Sequence, residues 1–307
     1  MHPAPSLIVF TTLSGVGFGL IFWLGIGLGA PLAPFAWFIC PAAFALAGFG
    51  VAASTFHLGH PERAWRALSQ WRSSWLSREG VLAAATLGLF ALYALVWLMA
   101  GHRSPFLGWL SAAAAAATVH ATAMIYAQLK TVPRWNSWLT PLAFLSFGAA
   151  GGALAIAVGE ALTIGSSNPS NLLALVLIAL AWAAKLWWWH HAAEIRLDHA
   201  GASPETATGL SRLGEVRQFE PPHTSPNYLL REMVFQVGRR RAEQLRILAL
   251  LIGCGVPLFV VLLALVASGD MIWLVTAFLA YLGGLAIERW LFFAEAEHVV
   301  ATYYGHR

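Results

Sequence analysis

The residues best able to do chemistry in this chain are ionisable side chains set in or at the ends of long apolar stretches. They are His57, Glu79, His120, Glu160, Lys185, His190, His191, Glu288, Arg289, Glu295, Glu297 and His298. In water such groups would need no explanation. At membrane depth they are expensive and tend to mark ion, proton or ligand pathways, because an accessible carboxyl or imidazole there can give and take a proton.

The elements that must position these groups are eight apolar stretches, each long enough to cross about 30 Å of hydrocarbon as a helix. They read as Ser6–Gly29, Ala33–Phe56, Gly80–Ala100, Pro105–Gln128, Leu139–Thr163, Ser170–His190, Leu245–Ala267 and Met271–Phe293. Composition agrees: 59% of residues are hydrophobic, 10% are charged, and the 28 glycines suit helices that approach closely in lipid. The expected fold is an all-α integral membrane protein, one bundle of eight transmembrane helices over residues 1–307, with a long polar loop at 192–244. The first stretch lacks a basic leader and a small-residue cleavage site, so it reads as a retained helix.

With an even number of spans both termini share a side, and the basic residues sort sharply between the two sides. Arg63, Arg66, Arg72 and Arg78 follow span two, Lys130 and Arg134 follow span four, and Arg196, Arg212, Arg217, Arg231, Arg239, Arg240 and Arg241 follow span six. The opposite side carries Arg103. The positive-inside rule then puts both termini and these three loops in the cytoplasm. The sequence pI near 9.4 is thus a topology signal and gives no reason to expect nucleic acid as a partner.

On this topology every ionisable group named above except Glu160 falls in the cytoplasmic half, which predicts a one-sided polar pocket. Groups within a turn of a helix end can instead snorkel to the headgroups, the expectation for His190, His191, Glu295 and Glu297. Glu288 and Arg289 can neutralise each other or pair with Lys185. Trp65, Trp71, Trp75, Trp135, Trp138, Trp187, Trp188 and Trp189 collect at the same boundary, where interfacial belts account for most tryptophans. Aromatic rings beside a His and a carboxylate also suit a flat, amphipathic quinone ring. One of those groups would hydrogen-bond a quinone oxygen and exchange its proton while the tail stayed in lipid. The quinone-facing set is read as His57, Glu79, Trp71, Trp75, His120 and Arg289, with menaquinone or ubiquinone as an exchangeable substrate.

Cys40 and Cys254 lie in different spans without a partner motif, so they read as packing residues. An iron–sulfur centre needs about four thiolates, so any such cluster is expected on another subunit. Two other classes compete. A b-type cytochrome would need paired histidines at matched depth, and only His120 lies clearly inside a span. A transporter would draw on Glu160, Lys185 and Glu288, but no convincing repeat relates residues 1–150 to 151–307.

Four segments carry a sharper pattern: His57-Leu58-Gly59-His60-Pro61, then Leu76-Ser77-Arg78-Glu79, then Thr131-Val132-Pro133-Arg134-Trp135 with Thr140-Pro141, and finally Ile287-Glu288-Arg289 with Phe292-Phe293. On these, the chain resembles the membrane-anchor subunits of DMSO reductase and its relatives, in the broader group of polysulfide- and nitrite-reductase-type quinone-interacting anchors. The resemblance implies a cofactor-free eight-helix subunit, without haem or cluster, that docks an iron–sulfur electron-transfer protein bound to a molybdopterin catalytic subunit. It also associates the His and Glu of the first two segments, here His57 and Glu79, with the quinol site. The segments Met1-His2-Pro3-Ala4-Pro5-Ser6 and Phe10-Thr11-Thr12-Leu13-Ser14-Gly15 look most like anchors of the cytoplasmic sulfite dehydrogenase type. Sulfite oxidation is therefore expected ahead of S-oxide reduction. The chain departs from the pattern in its long basic loop between spans six and seven, which reads either as a disordered linker or, ahead of that, as part of the docking surface for the iron–sulfur subunit.

Overall fold

In the computed structural model, residues 3–58, 60–195, 201, 203–217, 219–220, 241–266 and 271–304 are described, without the side chains of His57, Thr302, Tyr303 and Tyr304. Among the described residues eight helices are long and apolar enough to cross a membrane. They are α1 Pro5–Gly25, α2 Ala33–Ala53, α3 Trp75–Ala100, α4 Pro105–Ala127, α5 Leu139–Thr163 and α6 Asn168–Glu194, followed by α7 Ala242–Val266 and α8 Met271–Ala294. Most of the expected loop at 192–244 lies outside the described residues; within it stands a short helix, Pro204–Thr208.

Local chemistry sets the helix ends. Proline occupies the first turn of α1, α2, α4 and α6, where its missing N–H costs nothing. Ser74 starts α3 by accepting the Ser77 N–H at 3.5 Å, and Ser104 does the same for α4 with Leu107. Gly101 ends α3 in the left-handed region at φ 72°. The Ser74 cap starts α3 five residues before the Gly80 expected from hydropathy, so Glu79 stands in the second turn of a helix and points with one face of it. Ser54–His57 and Pro61–Gln70 form 3-10 turns that carry the chain from α2 to α3.

Helices α1 and α5 form the centre. α1 packs on α2, α4, α5 and α8, while α5 packs on α1, α2, α4, α6 and α8. Association inside lipid depends on close van der Waals packing because the tails are as apolar as leucine. One contact shows it: a Cβ added to Gly152 of α5 would lie inside the backbone of Gly19 and Leu20 of α1. Rings on the outer faces, such as Phe49, Phe106 and Phe259, stay exposed, as expected where lipid is the solvent.

At one end of the bundle α2, α4, α6 and α8 finish and α3, α5 and α7 begin. The loop joining α4 to α5 is stapled across this polar end. Trp135 Nε1 donates to the Phe292 carbonyl at 2.9 Å, its ring stacks on Phe292 at 5.1 Å, and the Val299 N–H donates to the Thr131 carbonyl. Thr140 donates to the Trp135 carbonyl at 2.8 Å and accepts from Trp188 Nε1 at 3.1 Å. The Thr-Val-Pro-x-Trp and Thr-Pro segment therefore ties α4, α5, α6 and α8 into one rigid end.

Candidate functional site: a cavity with one buried carboxyl

Between α1, α3 and α4 and beneath the two 3-10 turns lies a cavity of about 390 Å³. This volume falls in the range of small-molecule sites, and the wall is mostly apolar, as such sites are. Phe10 of α1, Val51 of α2, Leu58 beyond the first 3-10 turn, Leu68 of the second, Ala83 of α3 and Tyr126 of α4 supply its surfaces, and Glu79 supplies the carboxyl.

Glu79 is 7% exposed. Thr122 of α4 donates its hydroxyl to Glu79 Oε1 at 2.6 Å, and among the described residues it is the one hydrogen-bond partner of that carboxyl. One helical turn further in, the Thr118 and Thr86 hydroxyls meet at 2.9 Å, so α3 and α4 are joined by a short polar ladder leading away from Glu79. The roof is pinned too. Ser77 Oγ donates to the Ala67 carbonyl, and Arg78 donates to the Trp71 carbonyl at 3.0 Å and the Arg72 carbonyl at 2.6 Å. The Leu-Ser-x-Glu segment thus does three jobs: Leu76 lines the cavity, Ser77 and Arg78 hold the roof, and Glu79 faces the interior.

The other sequence-read site residues stand at different distances from this cavity. The backbone of His57 closes the first 3-10 turn, whose Ser54 and Thr55 line the cavity; its side chain lies outside the described residues. Trp75 and His120 meet edge to face at 6.0 Å, away from the cavity wall, with the Arg78 guanidinium over Trp75 at 4.5 Å. Trp71 is exposed at the surface beneath the Arg72 guanidinium. Arg289 belongs to a second cluster, separated from the cavity by aromatic rings: it lies over Phe144 at 3.7 Å, and Phe144 stacks on Tyr126.

That second cluster is fully buried. Lys185 Nζ stands 2.6 Å from Glu288 Oε1, Arg289 Nε stands 3.3 Å from Glu288 Oε2, and Lys185 also lies over the Trp188 ring at 3.7 Å. The expected pairing of Glu288 with Lys185 and Arg289 is therefore present as one carboxylate shared by two cations. Nearby, Glu295 does not snorkel to the headgroups: it is 4% exposed and pairs with Arg246 of α7 at 2.9 Å. Its partner lies across the long loop, so no local pattern could have announced the pair. His190 does reach outward, with Glu194 at 3.6 Å.

At the opposite end Arg103 donates to the carbonyls of Gly27, Gly29 and Ala30 and lies over Trp97 at 4.0 Å, closing the α1 to α2 connection. Glu160 is buried at the same end of α5. Cys40 is buried and Cys254 half-buried, in different helices. Among the described residues no three His, Cys, Asp or Glu side chains group as metal ligands.

Sequence reasoning missed Thr122 and Tyr126. A threonine in an apolar helix usually bonds its own backbone one turn back, and Thr122 also does so, to the Thr118 carbonyl at 3.1 Å. The signal that could have found it is its position one turn from the end of α4, at the depth of Glu79.

Comparison with known proteins agrees with this architecture. The family model described as DMSO reductase anchor subunit (DmsC) matches residues 1–294. The chain is 32% identical to a subunit of the sulfite dehydrogenase of Allochromatium vinosum over 99% of both chains. It is 37% identical to the anaerobic dimethyl sulfoxide reductase chain YnfH of Escherichia coli over 145 residues, 44% of this chain and 50% of that one. No solved structure matches the chain significantly. A match over nearly the whole length, through all four motif segments and all eight helices, places this protein in the family of DMSO reductase anchor subunits.

Proposed function

We propose that this chain is the quinone-reactive anchor of a respiratory molybdopterin oxidoreductase and that its quinone site is the Glu79 cavity. The observation that carries the reading is a lone buried carboxyl on the wall of a mostly apolar cavity at the polar end of a membrane bundle. A mostly apolar wall accepts a quinone ring and its tail, while the carboxyl offers a hydrogen-bonding group that can also exchange a proton with a quinone oxygen.

Reducing a quinone to a quinol takes two electrons and two protons. The electrons are supplied by the nearest cluster of an iron–sulfur partner docked on the loops after α2, α4 and α6, including the basic loop at 192–244. Glu79 in its acid form gives one proton to the near quinone oxygen; His57, on the turn beside the cavity, is assigned the other oxygen. The docking face and both termini lie in the cytoplasm, consistent with the basic residues of those loops.

Sulfite is the substrate class we assign to the complex, on the strength of the full-length similarity to a protein named as a sulfite dehydrogenase subunit. Electrons then run from the molybdopterin subunit through the iron–sulfur subunit to quinone. The partial similarity to a dimethyl sulfoxide reductase chain favours a second reading in which quinol is oxidised and the flow reverses. Mild-detergent purification of the tagged chain from its native host tests the assignment. Co-elution of an iron–sulfur protein and a molybdenum subunit that reduces a quinone analogue with sulfite is expected. Recovery of the chain alone would overturn the anchor reading, and S-oxide-dependent quinol oxidation by the purified complex would replace sulfite.

A further inference from the structure

We infer that Thr122 is a positioning residue for proton exchange at Glu79, a role that rests on the quinone reading of this cavity. Its hydroxyl has one proton and two acceptors in reach: Glu79 Oε1 at 2.6 Å and the Thr118 carbonyl at 3.1 Å. A hydroxyl both donates and accepts, so it can serve the carboxyl in either protonation state. When Glu79 is ionised, Thr122 donates to it. When Glu79 carries a proton on that oxygen, the carboxyl donates to Thr122 Oγ1 and the threonine proton turns to the Thr118 carbonyl. The switch needs a rotation about one C–O bond and no movement of either helix.

Two features of the surroundings make this more than a packing contact. Thr122 is 5% exposed and Glu79 is 7% exposed, so water does not stand in for the hydroxyl. Thr118, whose carbonyl is the alternative acceptor, has its own hydroxyl engaged with Thr86 and with the Ala114 carbonyl, which fixes α4 against α3 at this depth. The carboxyl is therefore held from behind by one oxygen while it faces the cavity. The proton given to quinone is the one carried on the other carboxyl oxygen, which faces the cavity. Its O–H bond breaks as an O–H bond forms on the quinone oxygen, the ring's electrons come from the iron–sulfur partner, and Thr122 donates to Oε1 of the carboxylate left behind.

The test compares Thr122→Val, which keeps the shape and removes the hydroxyl, with Thr122→Ser, which restores it, in the intact purified complex. A hydrogen bond to a charged group contributes on the order of tenfold or more. Thr122→Val is expected to lower kcat for quinone-linked turnover by about that factor with little change in KM or in dye-linked turnover, and Thr122→Ser is expected to recover most of it. The carbonyl stretch of protonated Glu79, identified in infrared difference spectra by its loss in Glu79→Gln, should shift in Thr122→Val and return in Thr122→Ser. Wild-type kcat and an unshifted band in Thr122→Val would overturn the inference while leaving the quinone site standing if Glu79→Gln still abolishes turnover. Full quinone-linked turnover in Glu79→Gln would overturn the quinone reading itself.

Discussion

Replacing Glu288 with Gln removes the single carboxylate that two buried cations share, and the cost can be worked from the geometry. Lys185 stands 2.6 Å from one oxygen and Arg289 3.3 Å from the other, with all three side chains 2% exposed or less. At an effective dielectric near 20 each contact is worth on the order of 5 kcal/mol before desolvation, which takes back several kcal/mol per ion. The net value of the intact cluster is therefore small, but breaking it leaves two uncompensated charges and costs about 3 to 5 kcal/mol. Lys185 over Trp188 and Arg289 over Phe144 keep their aromatic faces, each worth about 2 kcal/mol when desolvated, so the lower end is expected. An SDS titration of the detergent-solubilised chain, followed by tryptophan fluorescence, reads the loss directly because Trp188 and Trp189 flank Lys185. The double substitution Lys185→Met with Glu288→Leu, which leaves Arg289 as the remaining cation, should recover part of it. A Glu288→Gln midpoint equal to wild type, or a double variant weaker than the single one, would refute this reasoning.

Two further outcomes follow from the ends of the bundle. Arg103→Lys cannot reproduce a guanidinium fork on the Gly27, Gly29 and Ala30 carbonyls, so the α1 to α2 connection should exchange its amides faster at a cost of about 1 to 2 kcal/mol, and unchanged exchange would refute the latch. His298, beyond α8, accepts the Val300 N–H on Nδ1 at 3.0 Å, and partial burial pushes its pKa below the ordinary histidine value. Because the folded form binds the proton less readily than the unfolded one, the contact is fully present above the ordinary histidine pKa and is lost as pH falls through the lower folded value. Hydrogen exchange at the Val300 amide should rise over that window, and a flat profile would exclude the switch.

Much of the fold was legible because lipid imposes a simple rule. A stretch of about twenty apolar residues has few alternatives to a spanning helix. The eight expected stretches are the eight helices found, and the shifts at their ends have local causes, such as the Ser74 cap that starts α3 early. Within α7, the π turn at Leu251–Gly255 left no pattern to read. The site was legible in part. A carboxyl at Glu79 was conspicuous by cost alone, and the pairing of Lys185 with Glu288 followed from one sign needing the other. Trp71, Trp75 and His120 share the depth of the cavity without lining it, because hydropathy fixes depth while the direction a side chain faces depends on which helices pack together. Glu295 illustrates the same gap: its depth suggested headgroups, while its partner Arg246 arrives on α7 after the long loop.

The most direct test of the account is quinone-linked turnover of the purified complex carrying Glu79→Gln, measured beside dye-linked turnover of the same preparation. A cavity whose one carboxyl exchanges the quinone's proton predicts that the first activity is lost while the second and the subunit composition are unchanged. Full quinone-linked turnover without that carboxyl would contradict it.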